Sequence, residues 1–244
     1  MKTTLAMLTY STGKKIVMAL TGLFLLVFLL EHLIGNLLLV IGEIPFLQYA
    51  EWMGATWNVP LRIMEIGLFA GFAIHIVDGL ILATQNRRAR PITYAAQRPR
   101  TQSTWFSRHM HWTGLVLLTF LVLHLATFFM DARFALDWGV GVPASAYIQP
   151  SDLMVNGHVL VHAGETNLYQ KAAAHFSLWW YTALYILAML FLAFHLIHGF
   201  RSAFQSLGWR HATWTPVIRT VGMVYAIAIP AGFASIPIYF LLTG

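Results

Sequence analysis

The stretch Ile16-Val-Met-Ala-Leu-Thr-Gly-Leu-Phe-Leu-Leu-Val-Phe-Leu-Leu-Glu-His-Leu-Ile-Gly-Asn-Leu-Leu-Leu-Val-Ile41 decides the fold. About 20 apolar residues carry a helix across the hydrocarbon core of a bilayer, and this run exceeds that length. In lipid a lone segment must satisfy its own backbone, which leaves only the helix. The Lys14-Lys15 pair in front imitates a signal peptide. The run is too long for a signal core, however, and has no small-residue cleavage site before its polar centre, so a retained first span is expected. Working outward, four further apolar runs bring the expected helices to five, over 16–41, 61–84, 111–130, 178–200 and 217–242, with a long connection over 131–177. Nothing alternates in the ~10-residue segments of a β-barrel. Pro230 and Pro237 are expected to bend the fifth span.

Composition agrees. Of 244 residues, 58% are hydrophobic and 10% charged, against roughly 45–50% and about 25% in soluble domains. The expected class is an all-α integral membrane protein forming one domain over 1–244. Zero cysteines exclude disulfides, zinc thiolates, iron–sulfur clusters and covalent haem attachment through CxxCH. Metal chemistry then falls to the eleven histidines and the carboxylates.

The net charge of +6 is not a nucleic-acid patch once its charges are placed. Lys2, Lys14, Lys15, Arg87, Arg88, Arg90, Arg98, Arg100, Arg108, Arg201, Arg210 and Arg219 all fall on one side of a five-span topology. Arg62, Arg133 and Lys171 fall on the other, beside Glu43, Glu51, Asp131, Asp137, Asp152 and Glu165. The positive-inside rule puts the N-terminus in the cytoplasm and the C-terminus outside.

Ionisable groups within spans are costly and mark function by default. His32, His75, His124 and His195 lie on four different spans. The first and third spans run outward, and His32 and His124 fall late in them. The second and fourth run inward, and His75 and His195 fall late in those. The histidines therefore pair by depth, one pair in each half of the bilayer. Two facing imidazoles at one level are what bis-histidine haem ligation requires, one nitrogen for each axial face. Both axial positions are then filled, which favours electron transfer.

Gly67, Gly71, His75 and Gly79 share one helix face, a stripe that would leave room for a flat macrocycle. His195-Leu-Ile-His-Gly199 repeats the HxxxG of His75-Ile-Val-Asp-Gly79, which favours His195 over His198 as ligand. His198, Arg201 and Arg108 are expected to contact a haem propionate or a quinone. Glu65 and Glu51 are the candidates for an outer-side proton route. Glu31 adjoins His32, and Asp78 would order structure beside the inner pair. His158, His162 and His175 lie in the outer connection without metal-ligand spacing. Trp179, Trp180 and Tyr181 read as an interfacial aromatic belt.

The string Ser11-Thr-Gly-Lys-Lys-Ile-Val-Met-Ala-Leu-Thr-Gly-Leu-Phe24, leading into Glu31-His-Leu-Ile-Gly-Asn36, resembles the cytochrome b membrane-anchor subunit of succinate dehydrogenase and fumarate reductase, in its single-subunit, five-helix, di-haem class. His195-Leu-Ile-His-Gly-Phe-Arg-Ser-Ala-Phe-Gln-Ser-Leu-Gly208 is similar too. The resemblance runs over the whole chain and is weakest in the outer connection. It implies two haem b groups, a proximal one on His75 and His195 and a distal one on His32 and His124. It also implies a flavoprotein and an iron–sulfur subunit as cytoplasmic partners, menaquinone as the quinone, the cytoplasmic (inner) membrane as the location, and an enzyme whose succinate chemistry lies in the partner subunits of respiratory complex II. Two other readings stand beside it: the di-haem cytochrome b of a hydrogenase or formate dehydrogenase, and a haem-free proton-coupled transporter.

Overall fold

The computed structural model describes residues 11–88, 105–138, 140–209 and 211–244. The chain is an all-α membrane protein. Five of its helices are long and apolar enough to cross a membrane: Thr12–Ile41, Val59–Asn86, His109–Phe134, Trp179–Ser206 and Trp214–Thr243. Their outward faces suit lipid, with Val27 70% and Ile66 71% exposed.

Helix α1 spans Ser11–Ile41, α2 Glu43–Gly54, α3 Val59–Arg88 and α4 Trp105–His124. A π-helical turn, Leu125–Phe129, joins α4 to the short α5, Met130–Phe134. A 3-10 turn at Ala144–Ala146, a hairpin of β1 (Leu153–Val155) and β2 (His158–Val161), and α6 (Leu168–Phe176) follow. Helices α7 (Trp179–Ser206) and α8 (Trp214–Thr243) complete the chain.

The spans run longer than hydropathy sets them. α1 begins at Ser11 and includes both Lys14 and Lys15, because the apolar stems of lysine can stay on the helix while the ammonium reaches water. α8 passes through Pro230 and Pro237 without interruption. The short connection after α1 is not a loop but mostly helix α2. Of the basic residues, Lys2, Arg90, Arg98, Arg100 and Arg210, with the side chains of Arg87 and Arg108, lie outside the described residues.

Backbone packing groups the chain into two compact units. The first takes Met1–Leu29, Met64–Leu115 and Leu192–Ala228, over their described residues. In it α1 and α3 approach closely, since a Cβ on Gly71 would stand 3.0 Å from Phe24 and one on Gly79 3.4 Å from Met18. Phe28 meets Phe72 edge-on, with centroids 6.0 Å apart. The Tyr225 hydroxyl donates to the carbonyl of Leu26.

The second unit takes Leu30–Ile63, Val116–Phe191 and Ile229–Gly244. Its core is Leu39, Ala172, Phe176, Tyr181, Tyr185, Ile236 and Phe240. The connection over 131–177 is folded onto this core rather than loose, over its described residues. Asn167 caps α6, accepting from the backbone of Tyr169 and Gln170 at 3.1 Å each, and its amide donates to Glu43 at 2.7 Å. Lys171, fully buried, donates to Asp131 at 2.6 Å and to Asp137 at 2.8 Å. An aromatic-belt position is corrected here: Trp179 is exposed, but Tyr181 is 0% exposed and belongs to the core. Its place one residue beyond Trp180 turns it about 100° around the helix, off the outward face.

Candidate functional site

In the first unit α3 and α7 bring His75 and His195 together, with ring centroids 6.4 Å apart and planes 64° from parallel. Each ring is held by a threonine of a different helix. His75 Nδ1 lies 3.1 Å from Thr21 Oγ1, and Thr21 gives its own proton to the carbonyl of Val17 at 2.9 Å. His195 Nδ1 lies 3.3 Å from Thr113 Oγ1, and Thr113 donates to Met110 at 2.9 Å. A hydroxyl has one proton, so each threonine can only accept from the imidazole. That assigns the ring proton to Nδ1 and leaves Nε2 with a free lone pair. A second-shell partner that fixes the tautomer in this way is what metal-ligating histidines require.

The second unit pairs His32 and His124, with centroids 5.8 Å apart and planes at 85°. His124 Nδ1 lies 3.1 Å from the Tyr185 hydroxyl. Phe120 stacks on His124 at 5.7 Å, Phe128 approaches at 5.7 Å, and Phe233 covers His32 at 5.7 Å. Asn36 donates to the His32 carbonyl at 2.7 Å and lies 3.3 Å from its Nδ1. Beside this pair, burial and the Glu31 carboxylate push the Tyr49 phenol above its ordinary pKa, so it stays protonated and donates to Glu31 at 3.0 Å.

Whether these residues fit a haem is a question of spacing and chemistry. Two metal–imidazole bonds of about 2 Å each, with the ring radii added, put the centroids of two axial imidazoles about 6 Å apart. Both pairs have that spacing. Among the described residues no group of three or more His, Cys, Asp or Glu is gathered for a metal ion, and axial ligation of a haem takes only two.

The glycine stripe reads differently in three dimensions. Gly71 and Gly79 receive Phe24 and Met18, and a Cβ on Gly67 would meet nothing within 4 Å. The glycines that face the imidazoles are Gly22, whose Cβ would stand 3.5 Å from His75 Cε1, and Gly114, whose Cβ would stand 3.7 Å from His195 Cε1. A sequence signal for them exists. Met18-Ala-Leu-Thr-Gly22 and Met110-His-Trp-Thr-Gly114 are the same MxxTG, each with a histidine the same distance on, at His32 and His124. With the two HxxxG segments, α1–α3 and α4–α7 read as an internal repeat. The packing follows it: Gly79 faces Met18, and Gly199 faces Met110 at 3.6 Å.

Of the remaining candidates, His198 lies on α7 within electrostatic reach of exposed Arg201, and among the described residues it has no ring contact with His75. Glu65 is half-buried on α3. Glu51 is exposed and paired with His158 Nε2 at 2.8 Å. Asp78 is buried, with Oδ2 lacking a hydrogen-bond partner. The Arg108 side chain lies outside the described residues. His162 stands 3.9 Å from Asp152, whereas His175 is buried. Comparison with protein-family models, curated proteins and solved structures gives no match for the chain.

Proposed function

We propose that the chain is the membrane-anchor and electron-transfer subunit of a succinate:quinone oxidoreductase, holding one haem b between His75 and His195 and another between His32 and His124. The observation that carries the haem reading is the pair of threonines. Thr21 and Thr113 each present a lone pair to Nδ1, so that Nε2 of His75 and of His195 is ready for iron. A haem held by two imidazoles would supply one-electron transfer. The chain's residues do the rest. Phe120, Phe128 and Phe233 keep water from the outer pair, and His198 and Arg201 would meet a propionate or a quinone. Glu65 and Glu51 are assigned to proton delivery for the quinone.

Succinate, menaquinone and the flavoprotein and iron–sulfur partners rest on the sequence resemblance. The N-terminus is assigned to the cytoplasm, and the location to the cytoplasmic membrane, on the basic rim of Lys14, Lys15, Arg88, Arg201 and Arg219, which would also dock the soluble subunits.

A reduced-minus-oxidised spectrum of the purified complex tests the reading, with two b-type haems expected per chain. His195→Ala should lose the inner haem and His32→Ala the outer one, while His198→Ala keeps both. A chain without a Soret band is instead the haem-free transporter. Haems that succinate does not reduce, in a chain that co-purifies with a hydrogenase or formate dehydrogenase, would move it to that other complex.

A further inference from the structure

Helix α7 ends on Gly208, whose φ of +81° lies in the left-handed region. The Gly208 amide donates to the Gln205 carbonyl at 3.2 Å, and the Trp209 amide to that of Phe204 at 3.0 Å, the paired bonds of a Schellman turn. That turn lays the Trp209 ring against Phe204, with centroids 5.6 Å apart, and leaves the indole 64% exposed. Phe204 is backed by Phe200 at 5.2 Å, and a Cβ on Gly222 would stand only 2.6 Å from the Phe200 ring. Helices α7 and α8 thus meet closely at Gly222. The corner beyond holds an open cavity of about 480 Å³, lined by Gly208, Trp209, His211, Trp214 and Ile218.

The walls are apolar and the rim is cationic. Trp214 opens a 30-residue helix long and apolar enough to cross a membrane, so the cavity lies where indoles sit best, between hydrocarbon and water. Arg219 is exposed and has no ion pair among the described residues. It shares a helix face with Thr215, four residues earlier, and Thr215 Oγ1 accepts from the His211 amide at 3.2 Å. Arg219 and His211 therefore belong to one side of α8. The Thr213 amide donates to His211 Nδ1 at 3.2 Å, so Nδ1 bears the lone pair and Nε2 the proton. The ring is left with an N–H to offer. No acidic residue follows Glu165 in the chain, so neither helix nor their connection supplies a counter-ion.

We propose that this corner binds one anionic phospholipid, its phosphate on Arg219 and the His211 N–H and the first carbons of its acyl chains against Trp209, Trp214 and Ile218. A soluble anion would use the cation and gain nothing from indole walls. A neutral lipid would use the walls and leave Arg219 unmatched. A phospholipid of net negative charge uses both. The cavity falls within the roughly 300–1,000 Å³ of ligand pockets, room for a headgroup and the start of its chains rather than a whole lipid. Basic pockets between spans are a recurring means of selecting anionic headgroups. The inference is independent of the haem reading.

Native mass spectrometry tests the site on the protein purified with its partner subunits, delipidated, and then given phosphatidylglycerol or phosphatidylcholine of the same acyl chains. One phosphatidylglycerol per chain should stay bound under collisional activation that strips phosphatidylcholine. Arg219→Gln should weaken that binding about five-fold, the worth of one cation near a charged membrane surface, and Arg219→Lys should keep it. His211→Phe retains a ring and removes the N–H, and should weaken it as well. Equal retention of the two lipids by the wild type would mean an unselective lipid layer, and overturns the proposal without recourse to any variant. Undiminished binding in Arg219→Gln overturns it too. Displacement of phosphatidylglycerol by inorganic phosphate would reduce the corner to a site for soluble anions. Binding by the isolated chain but not by the intact complex would make it a protein-docking face, and either result overturns the lipid site.

Discussion

A threonine hydroxyl that donates to its own helix is ordinarily a minor local feature, slightly unfavourable to the helix. At Thr21 and Thr113 the same bond has a second effect, because it removes the hydroxyl proton from the imidazole's side and sets the tautomer of His75 and His195. Replacing either threonine with valine preserves shape and deletes the acceptor. Loss of a second-shell partner of this kind lowers metal affinity by about 10–100-fold, so Thr21→Val and Thr113→Val should each weaken retention of the inner haem and spare the outer. Transfer of haem to an apo-globin acceptor, followed by absorbance, measures it, and equal loss from both sites would refute the assignment. Gly35 has a different role. A Cβ there would overlap the Tyr49 ring, with ring carbons 2.5 Å away, so it holds the Tyr49–Glu31 bond in place rather than making room for a cofactor.

Among the elements, α6 and the π turn were the least legible from sequence. Periodicity finds long apolar helices, and the five spans were plain for that reason. Helix α2 is short and carries Pro45 near its start, so its run resembles a connection. The connection over 131–177 is held together by polar bonds between residues far apart in sequence, such as Asn167 to Glu43 and Lys171 to Asp131, and no local pattern announces these. Histidine depth did forecast the pairs His75–His195 and His32–His124, because span direction and position fix depth. The hydroxyls that orient them were hidden in ordinary-looking helix. Lys171 is the strongest single test of the folded connection. Lys171→Met would leave two carboxylates without their buried cation, and breaking such a pair costs about 3–5 kcal/mol. A corresponding drop in thermal stability in detergent is expected, and an unchanged midpoint would mean that the ion pair contributes nothing to the fold.

For the whole molecule, sidedness is the property most open to direct measurement. The chain has no cysteine, so single cysteines report without background. Ala163 in the connection between α5 and α7 and Thr213 ahead of α8 are both exposed. With the N-terminus in the cytoplasm, Ala163→Cys should react with a membrane-impermeant maleimide added to intact cells, and Thr213→Cys only after the membrane is opened. The reverse pattern would invert the topology and the side on which soluble partners dock. A charge count over the connections supplies this expectation, because a membrane sorts basic loops by side whatever the fold between them.

The repeated MxxTG and HxxxG segments have a consequence for how a cofactor would be seated. Two copies of one template, joined in a single chain, present the same groups to either face of whatever they clasp. A slot between His75 and His195 would therefore be close to two-fold symmetric. Inside the HxxxG segments the copies first differ by a polar group three residues past each histidine, where one has Asp78 and the other His198. An acid in one copy and an imidazole in the other break the two-fold likeness and would bias which way round a lopsided, acid-bearing macrocycle enters.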